Sequence, residues 1–369
     1  SFLLGLLLIG SFVANCQKYF LFIGTYTGSG SKGIYVYSFD AVSGKAQWIS
    51  NTEGVVNPSY LAIAPGGNFL YACTETRTLN AGGISAFRFD REKGSLTFIN
   101  KQSSGGDNPA YVSVHKNGRW VIAGNYSGGS LAAFPVNADG SIQPYSQMVQ
   151  HTGTSINKQR QEAPHVHSTV FSPKGDYLFV PDLGLDKVMI YKFDPTSQKP
   201  LQPASPAFAA TDPGSGPRHF IFHSNKKWAY LIEEMGGKVV AYNYKKGKLN
   251  AMQQIATHAD TAKGNFGSAD IHLSPDGKFL YASNRGNENN ITIFSVDRSS
   301  GKLSLKGFQS TMGIQPRNFT IDPSGKYLLA ANQKTGNIVI FKRDEVTGLL
   351  QYTGEQINIP EPVCLKMIK

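Results

Sequence analysis

The chain has 369 residues, a formal net charge of +11 and 40% hydrophobic residues, with 39 glycines, 22 phenylalanines and 17 tyrosines. That composition allows a sizeable core and suits many short strands joined by tight turns, with little room for helix. The lysines are scattered through turns with no basic run of five, which argues against nucleic acid and leaves a solvated surface or the attraction of an anionic small molecule.

In chain order, residues 2–13 are an apolar run closed by Ala14, Asn15 and Cys16. The run is shorter than the roughly 20 residues of a membrane-spanning helix and fits the apolar part of an export signal. Val13-Ala14-Asn15-Cys16 resembles a bacterial lipoprotein cleavage site with Cys16 lipidated, although Asn15 is larger than the usual residue there. Residues 1–16 are therefore expected to be a leader and residues 17–369 one folded domain. Three locations stay open: a lipoprotein of the periplasm or cell envelope, free secretion, or a cytoplasmic protein with a buried N-terminal strand. Cys73 and Cys364, inside apolar strand patterns, read as small buried thiols, and without a CxxC no thiolate metal site is expected.

Lys18-Tyr-Phe-Leu-Phe22 opens the first strand. Gly28-Ser-Gly-Ser-Lys-Gly33 matches a dinucleotide-binding pattern, but Ile34-Tyr-Val-Tyr-Ser-Phe39 follows it as a strand where that motif needs a helix, so it reads as a hairpin loop. Leu61-Ala-Ile-Ala-Pro-Gly-Gly-Asn-Phe-Leu-Tyr-Ala72 then introduces a phrase of strand, Pro-x-Gly turn and strand. The phrase returns as Phe171-Ser-Pro-Lys-Gly-Asp-Tyr-Leu-Phe-Val180, Leu273-Ser-Pro-Asp-Gly-Lys-Phe-Leu-Tyr-Ala282 and Ile321-Asp-Pro-Ser-Gly-Lys-Tyr-Leu-Leu-Ala330, with degenerate copies around Gly118 and Lys226. The turn anchors Gly67, Gly118, Gly175, Lys226, Gly277 and Gly325 lie 51, 57, 51, 51 and 48 residues apart, and Lys18 precedes Gly67 by 49. Two further strands follow each anchor, for example Gly83-Ile-Ser-Ala-Phe-Arg-Phe-Asp90 and Leu96-Thr-Phe-Ile99. Four antiparallel strands at a period near 50 predict an all-β, seven-bladed β-propeller. The first copy lacks its first strand, and Pro360-Glu-Pro-Val-Cys-Leu-Lys-Met-Ile368 resembles a lone first strand, so the C-terminus is expected to close the ring beside the N-terminal strands.

Eight residues before each anchor stand Ser59, Ala110, His167, Arg218, Ala269 and Arg317. Eight residues after stand Tyr26, Glu75, Tyr126, Leu183, Glu234, Arg285 and Gln333. Both columns fall at the open end of the inner hairpin and should ring one mouth of the central channel. Polar residues there could simply tie blades together. However, Arg, His and Glu converging on one cavity also supply what ester or lactone hydrolysis needs, namely an oxyanion clamp and a proton acceptor. Among the alternatives, His165 and His167 two apart on a strand could begin a metal site with Asp182, but a catalytic zinc wants three protein ligands. No G-x-S-x-G is present, so a serine hydrolase is not expected.

The motifs Gly24-Thr-Tyr-Thr27, Gly124-Asn-Tyr126, Pro164-His-Val-His-Ser168, Pro181-Asp-Leu-Gly184, Gly216-Pro-Arg-His219 and Ser283-Asn-Arg285 together resemble the propeller lactonase family of bacterial 6-phosphogluconolactonases and carboxymuconate-lactonising enzymes. The resemblance runs from Tyr19 to the C-terminus and implies a catalytic set of His167, Arg218, Glu234 and Arg285. Further substrate contacts are expected from His165, Arg317, Glu75, Tyr126, Asp182 and Gln333. It implies a lactonase acting on an anionic sugar lactone; no cofactor or metal is expected, and the protein is expected to be a monomer. The other readings are a muconate-lactone cycloisomerase and a non-catalytic binding propeller.

Overall fold

The computed structural model describes residues 17–76, 78–262 and 266–369. Residues 1–16, which carry the expected leader and Cys16, lie outside them. The described residues form seven four-stranded antiparallel sheets and no helix.

The strand phrases become blades because each second strand is buried on both faces. Trp120–Asn125, Trp228–Glu233, Phe279–Asn284 and Tyr327–Asn332 are buried at every position. This is what a near-continuous apolar run between two neighbouring sheets produces. The outermost strands alternate instead. Leu201–Ala210 and Lys248–Ala256 have one face packed and the other in water.

The anchors are tight turns, with φ between 62° and 79° at all six and an amide bonded to the carbonyl three residues back, as in Gly67 to Ala64 and Gly277 to Ser274. Glycine suits that left-handed backbone. Lys226, at φ 62°, adopts it without being glycine, at a cost of about 1 kcal/mol.

Ring closure follows the expectation. Pro362–Ile368 pairs antiparallel with Lys18–Thr25, completing the blade that continues through Ile34–Asp40 and Lys45–Thr52. The Leu61 amide of the second blade donates to Cys364 Sγ at 3.3 Å. Cys73 and Cys364 are buried free thiols.

One blade departs from the pattern. The anchor spacing of 57 residues corresponds to an irregular loop over residues 151–169, which leaves that blade an inner strand of only Val170–Phe171. His165 and His167 were expected on a strand. They lie instead in this loop, held by an isolated bridge between Val166 and Asp182 and by backbone bonds from His167 to Pro181 and from Leu183 to His165.

Candidate active site

The inner strands open onto a cavity of about 670 Å³ at one mouth of the channel. Six of the seven residues counted forward from the anchors line it: Tyr26, Glu75, Tyr126, Glu234, Arg285 and Gln333. Leu183, the seventh, is buried outside it, its amide bonded to the carbonyl of His165. Of the backward column, Ala110, His167 and Arg317 line the cavity. Arg218 and Ser59 lie beneath, around a chamber of about 10 Å³, the size of one water molecule.

Glu234 is the centre of the cluster. Its Oε2 takes Arg218 Nε at 2.8 Å and Arg285 Nη2 at 3.0 Å, and its Oε1 takes Arg160 Nη2 at 2.8 Å. His167 Nε2 lies 3.8 Å from Oε2. Burial alone would raise the carboxyl's pKa, but Arg285, Arg218, His167 and Arg160 together hold it well below the usual carboxylate range. Burial, reinforced by Arg218 and His219, pushes the His167 imidazole well below its ordinary 6.5, against the pull of Glu234. His167 is therefore neutral at neutral pH. Its Nδ1 and Ser59 Oγ have no partner among the described residues, and both residues border the small chamber.

The arginines differ in what fixes them. Arg218 is 1% exposed, bonded to the Ala269 carbonyl as well as to Glu234, and lowered to about 10 by burial and Arg285, so it stays cationic at neutral pH. Arg218 does not line the cavity but borders the small chamber, and its Nε holds Glu234 in place. Arg285 is 10% exposed, with Nε on the Gly267 carbonyl at 2.8 Å. Arg317 sits over the Tyr26 ring, 5.6 Å from its centroid, and 3.9 Å from Glu75 Oε2. Tyr26 itself donates to Glu75 Oε1 at 2.9 Å.

Two expected substrate contacts lie elsewhere. Asp182 is fully buried and does not line the cavity. Its Oδ1 accepts the His165 and Gly184 amides at 2.7 and 3.0 Å, and its Oδ2 meets His151 Nδ1 at 2.6 Å. With both oxygens committed, it is a brace for the loop, and no group of three metal-binding side chains occurs among the described residues. His165 also misses the cavity lining. It stacks on the Tyr126 ring at 4.6 Å and bonds the Tyr126 carbonyl through Nδ1 at 3.0 Å, so it orients Tyr126.

The cavity also holds residues that the sequence reading passed over. Asn57, Asn108, Gln315 and Glu361 line it, each with left-handed φ and each directly before a proline. The repeated residue-Pro dipeptide, with Gly216-Pro217 a further copy, was a readable signal for this rim. Arg160 was marked only indirectly, by the six extra residues between the anchors Gly118 and Gly175.

A model of the family described as "Lactonase, 7-bladed beta-propeller" matches residues 20–367. The chain belongs to this family. It is 41% identical to a 6-phosphogluconolactonase of Formosa agariphila over 94% of this chain and 99% of that one. It is 36% identical to a 6-phosphogluconolactonase of Bacillus subtilis over 95% and 99%. Among solved structures, a periplasmic gluconolactonase of Pseudomonas aeruginosa superposes with a TM-score of 0.91 at 37% identity, covering 96% and 99% of the two chains. This propeller lactonase thus shares enzyme class, fold and nearly full length with these relatives.

Proposed function

We propose that this lactonase opens a sugar lactone bearing an anionic group, with a phosphorylated gluconolactone as its substrate. The observation that carries the reading is one ionised carboxylate, Glu234, clasped by Arg160, Arg218 and Arg285 beside a neutral imidazole in a cavity of substrate size. The names of the Formosa agariphila and Bacillus subtilis relatives support a phosphorylated lactone, and that of the Pseudomonas aeruginosa relative supports a sugar lactone.

In the proposed reaction, His167 Nε2 takes a proton from a water molecule as its oxygen attacks the lactone carbonyl carbon. Charge collects on the carbonyl oxygen, where Arg285 offsets it. The ring C–O bond then breaks, and His167 returns the proton to the departing ring oxygen, giving a hydroxy acid. Glu234 stabilises the transient imidazolium and is itself kept from protonation by its arginines. Arg317 and Gln333 receive the sugar's polar groups.

The test is alkali uptake at constant pH with 6-phosphogluconolactone, gluconolactone and a carboxymuconolactone. Faster opening of the phosphorylated lactone supports the reading, and rates no higher than buffer for all three refute it.

We propose further that residues 2–14 direct export and that Cys16 is lipidated, as the periplasmic relative encourages. Conversion of Cys16→Ser should then move the protein from the membrane fraction to the soluble one.

A further inference from the structure

Three of the four arginines in and beneath the cavity are fixed within the blades, by the Ala269 carbonyl for Arg218, the Gly267 carbonyl for Arg285, and Tyr26 and Glu75 for Arg317. Arg160 is different. Its side chain is 44% exposed, and it makes only two side-chain hydrogen bonds among the described residues, both through Nη2: to Glu234 Oε1 at 2.8 Å and to the Tyr126 hydroxyl at 3.2 Å. Its Nε and Nη1 are left for an oxyanion.

The backbone that carries it is firmly held. The neighbouring Gln161 is fully buried, with Nε2 donating to the Leu183 carbonyl at 2.9 Å and to Asp186 Oδ1 at 2.7 Å. Asp186 also accepts Ser155 Oγ at 2.5 Å from the same loop and the Gly216 amide at 2.8 Å, two residues before Arg218. One carboxylate thus anchors the segments bearing both Arg160 and Arg218, and it leaves the Arg160 guanidinium poised at the rim.

We propose that Arg160 is the docking point for the substrate's phosphate and that phosphate bound there switches on the His167–Glu234 pair. This rests on the lactonase reading above. A guanidinium on Glu234 Oε1 stabilises the carboxylate's charge and weakens its support for a proton on His167. A phosphate dianion taken by Nε and Nη1 neutralises that guanidinium. Arg218, Arg285 and His167 still face Glu234, and Tyr126 and Arg317 stand beside it, so the cluster stays assembled. The neutralised rim charge raises the proton affinity of the pair, and the base works better only when a phosphorylated substrate is in place. Discrimination against unphosphorylated lactones then appears in kcat, beyond any effect on KM.

The experiment separates the phosphate from the lactone. Turnover of unphosphorylated gluconolactone is followed with inorganic phosphate added in trans, for the wild type and for Arg160→Gln, with 6-phosphogluconolactone measured in parallel. The wild type should show saturable activation by phosphate, and Arg160→Gln should show none. Its kcat/KM for the phosphorylated lactone should fall by about 10- to 100-fold, while kcat for the unphosphorylated lactone, relieved of the guanidinium's pull on Glu234, should rise toward the phosphate-activated level of the wild type. Matching thermal unfolding of the two proteins shows that the variant is folded, as an exposed side chain on a braced loop leads one to expect. Competitive inhibition by phosphate, no response to it, or an equal loss on both lactones in the variant would overturn the proposal. A wild type inert toward every lactone would instead overturn the lactonase reading, so the two failures are distinguishable.

Discussion

His167 and Glu233 illustrate how burial moves a proton to opposite effect. For His167, burial, with Arg218, His219 and Arg317, favours the neutral ring. A base must be unprotonated to act, so a depressed pKa carries the acid limb of the rate profile downward. We predict that kcat/KM stays level well below pH 6.5, where an ordinary histidine would already have lost its activity. An acid limb centred at 6.5 or above would remove His167 from the role of base. The substitution His167→Ala should lower kcat by roughly 10²- to 10⁴-fold with a small change in KM, as steady-state kinetics can check.

Glu233 is next in sequence to Glu234 but faces the blade interior. Asn125, Asn284 and Asn332 occupy the equivalent strand position in other blades, and each donates Nδ2 to a backbone carbonyl, of Ser104, Thr257 and Thr311. A carboxylate cannot donate, and neither oxygen of Glu233 has a partner among the described residues. Burial, with Asp212, raises its pKa from 4.5 to about 7. The folded state therefore holds a proton that the unfolded chain has released between those values. The resulting stability is complete below about pH 4.5 and is lost as pH rises through 7, a change of order 1–3 kcal/mol. Denaturant melts at pH 5 and 8 should show this loss in the wild type, and Glu233→Gln should flatten it. An unchanged slope in the variant would assign the pH dependence to other groups.

At the scale of elements, the repeat was legible because the inner hairpin obeys two rules at once, an apolar run on each side and a left-handed residue at the turn. Counting from that turn located Glu234, Arg285, His167 and Arg317, since a fixed strand length carries each residue to the same height in its blade. Where strand length is not fixed, position along the chain no longer gives height in the blade. In the fourth blade the loop over residues 151–169 replaces most of a strand, so Asp182 and His165 became braces and Arg160 went unseen. Contacts between blades were equally invisible to that count. The Tyr71, Tyr230 and Tyr281 hydroxyls, four residues past their anchors, donate to the carbonyls of Gly140, Gly301 and Gly348 in the outer turns of the following blades. Only the closed ring brings those turns within reach. Tyr281→Phe removes a buried donor at 2.8 Å and should lower stability by about 1 kcal/mol with lactone turnover unchanged. Loss of turnover at unchanged stability would contradict this structural role.

For the whole molecule, closure by Pro362–Ile368 leaves each sheet flanked by two others and points every inner strand at one channel. Charges from several separate blades thereby meet in one cavity, and a rigid ring can hold three arginines on one carboxylate. The net charge of +11 draws anionic substrates toward such a molecule. Because Asp182 is spent on His151 and two backbone amides, turnover should be unchanged in excess chelator, and loss of activity restored by a divalent metal would replace this scheme. The proposed opening of a phosphorylated lactone in this cavity, with Arg285 at the carbonyl oxygen, is checked by kcat/KM for 6-phosphogluconolactone in the wild type and in Arg285→Ala. The wild type should open it far above the buffer rate, and the variant should lose about 10²-fold or more. A wild-type rate equal to buffer, or an undiminished rate in Arg285→Ala, would contradict that proposal.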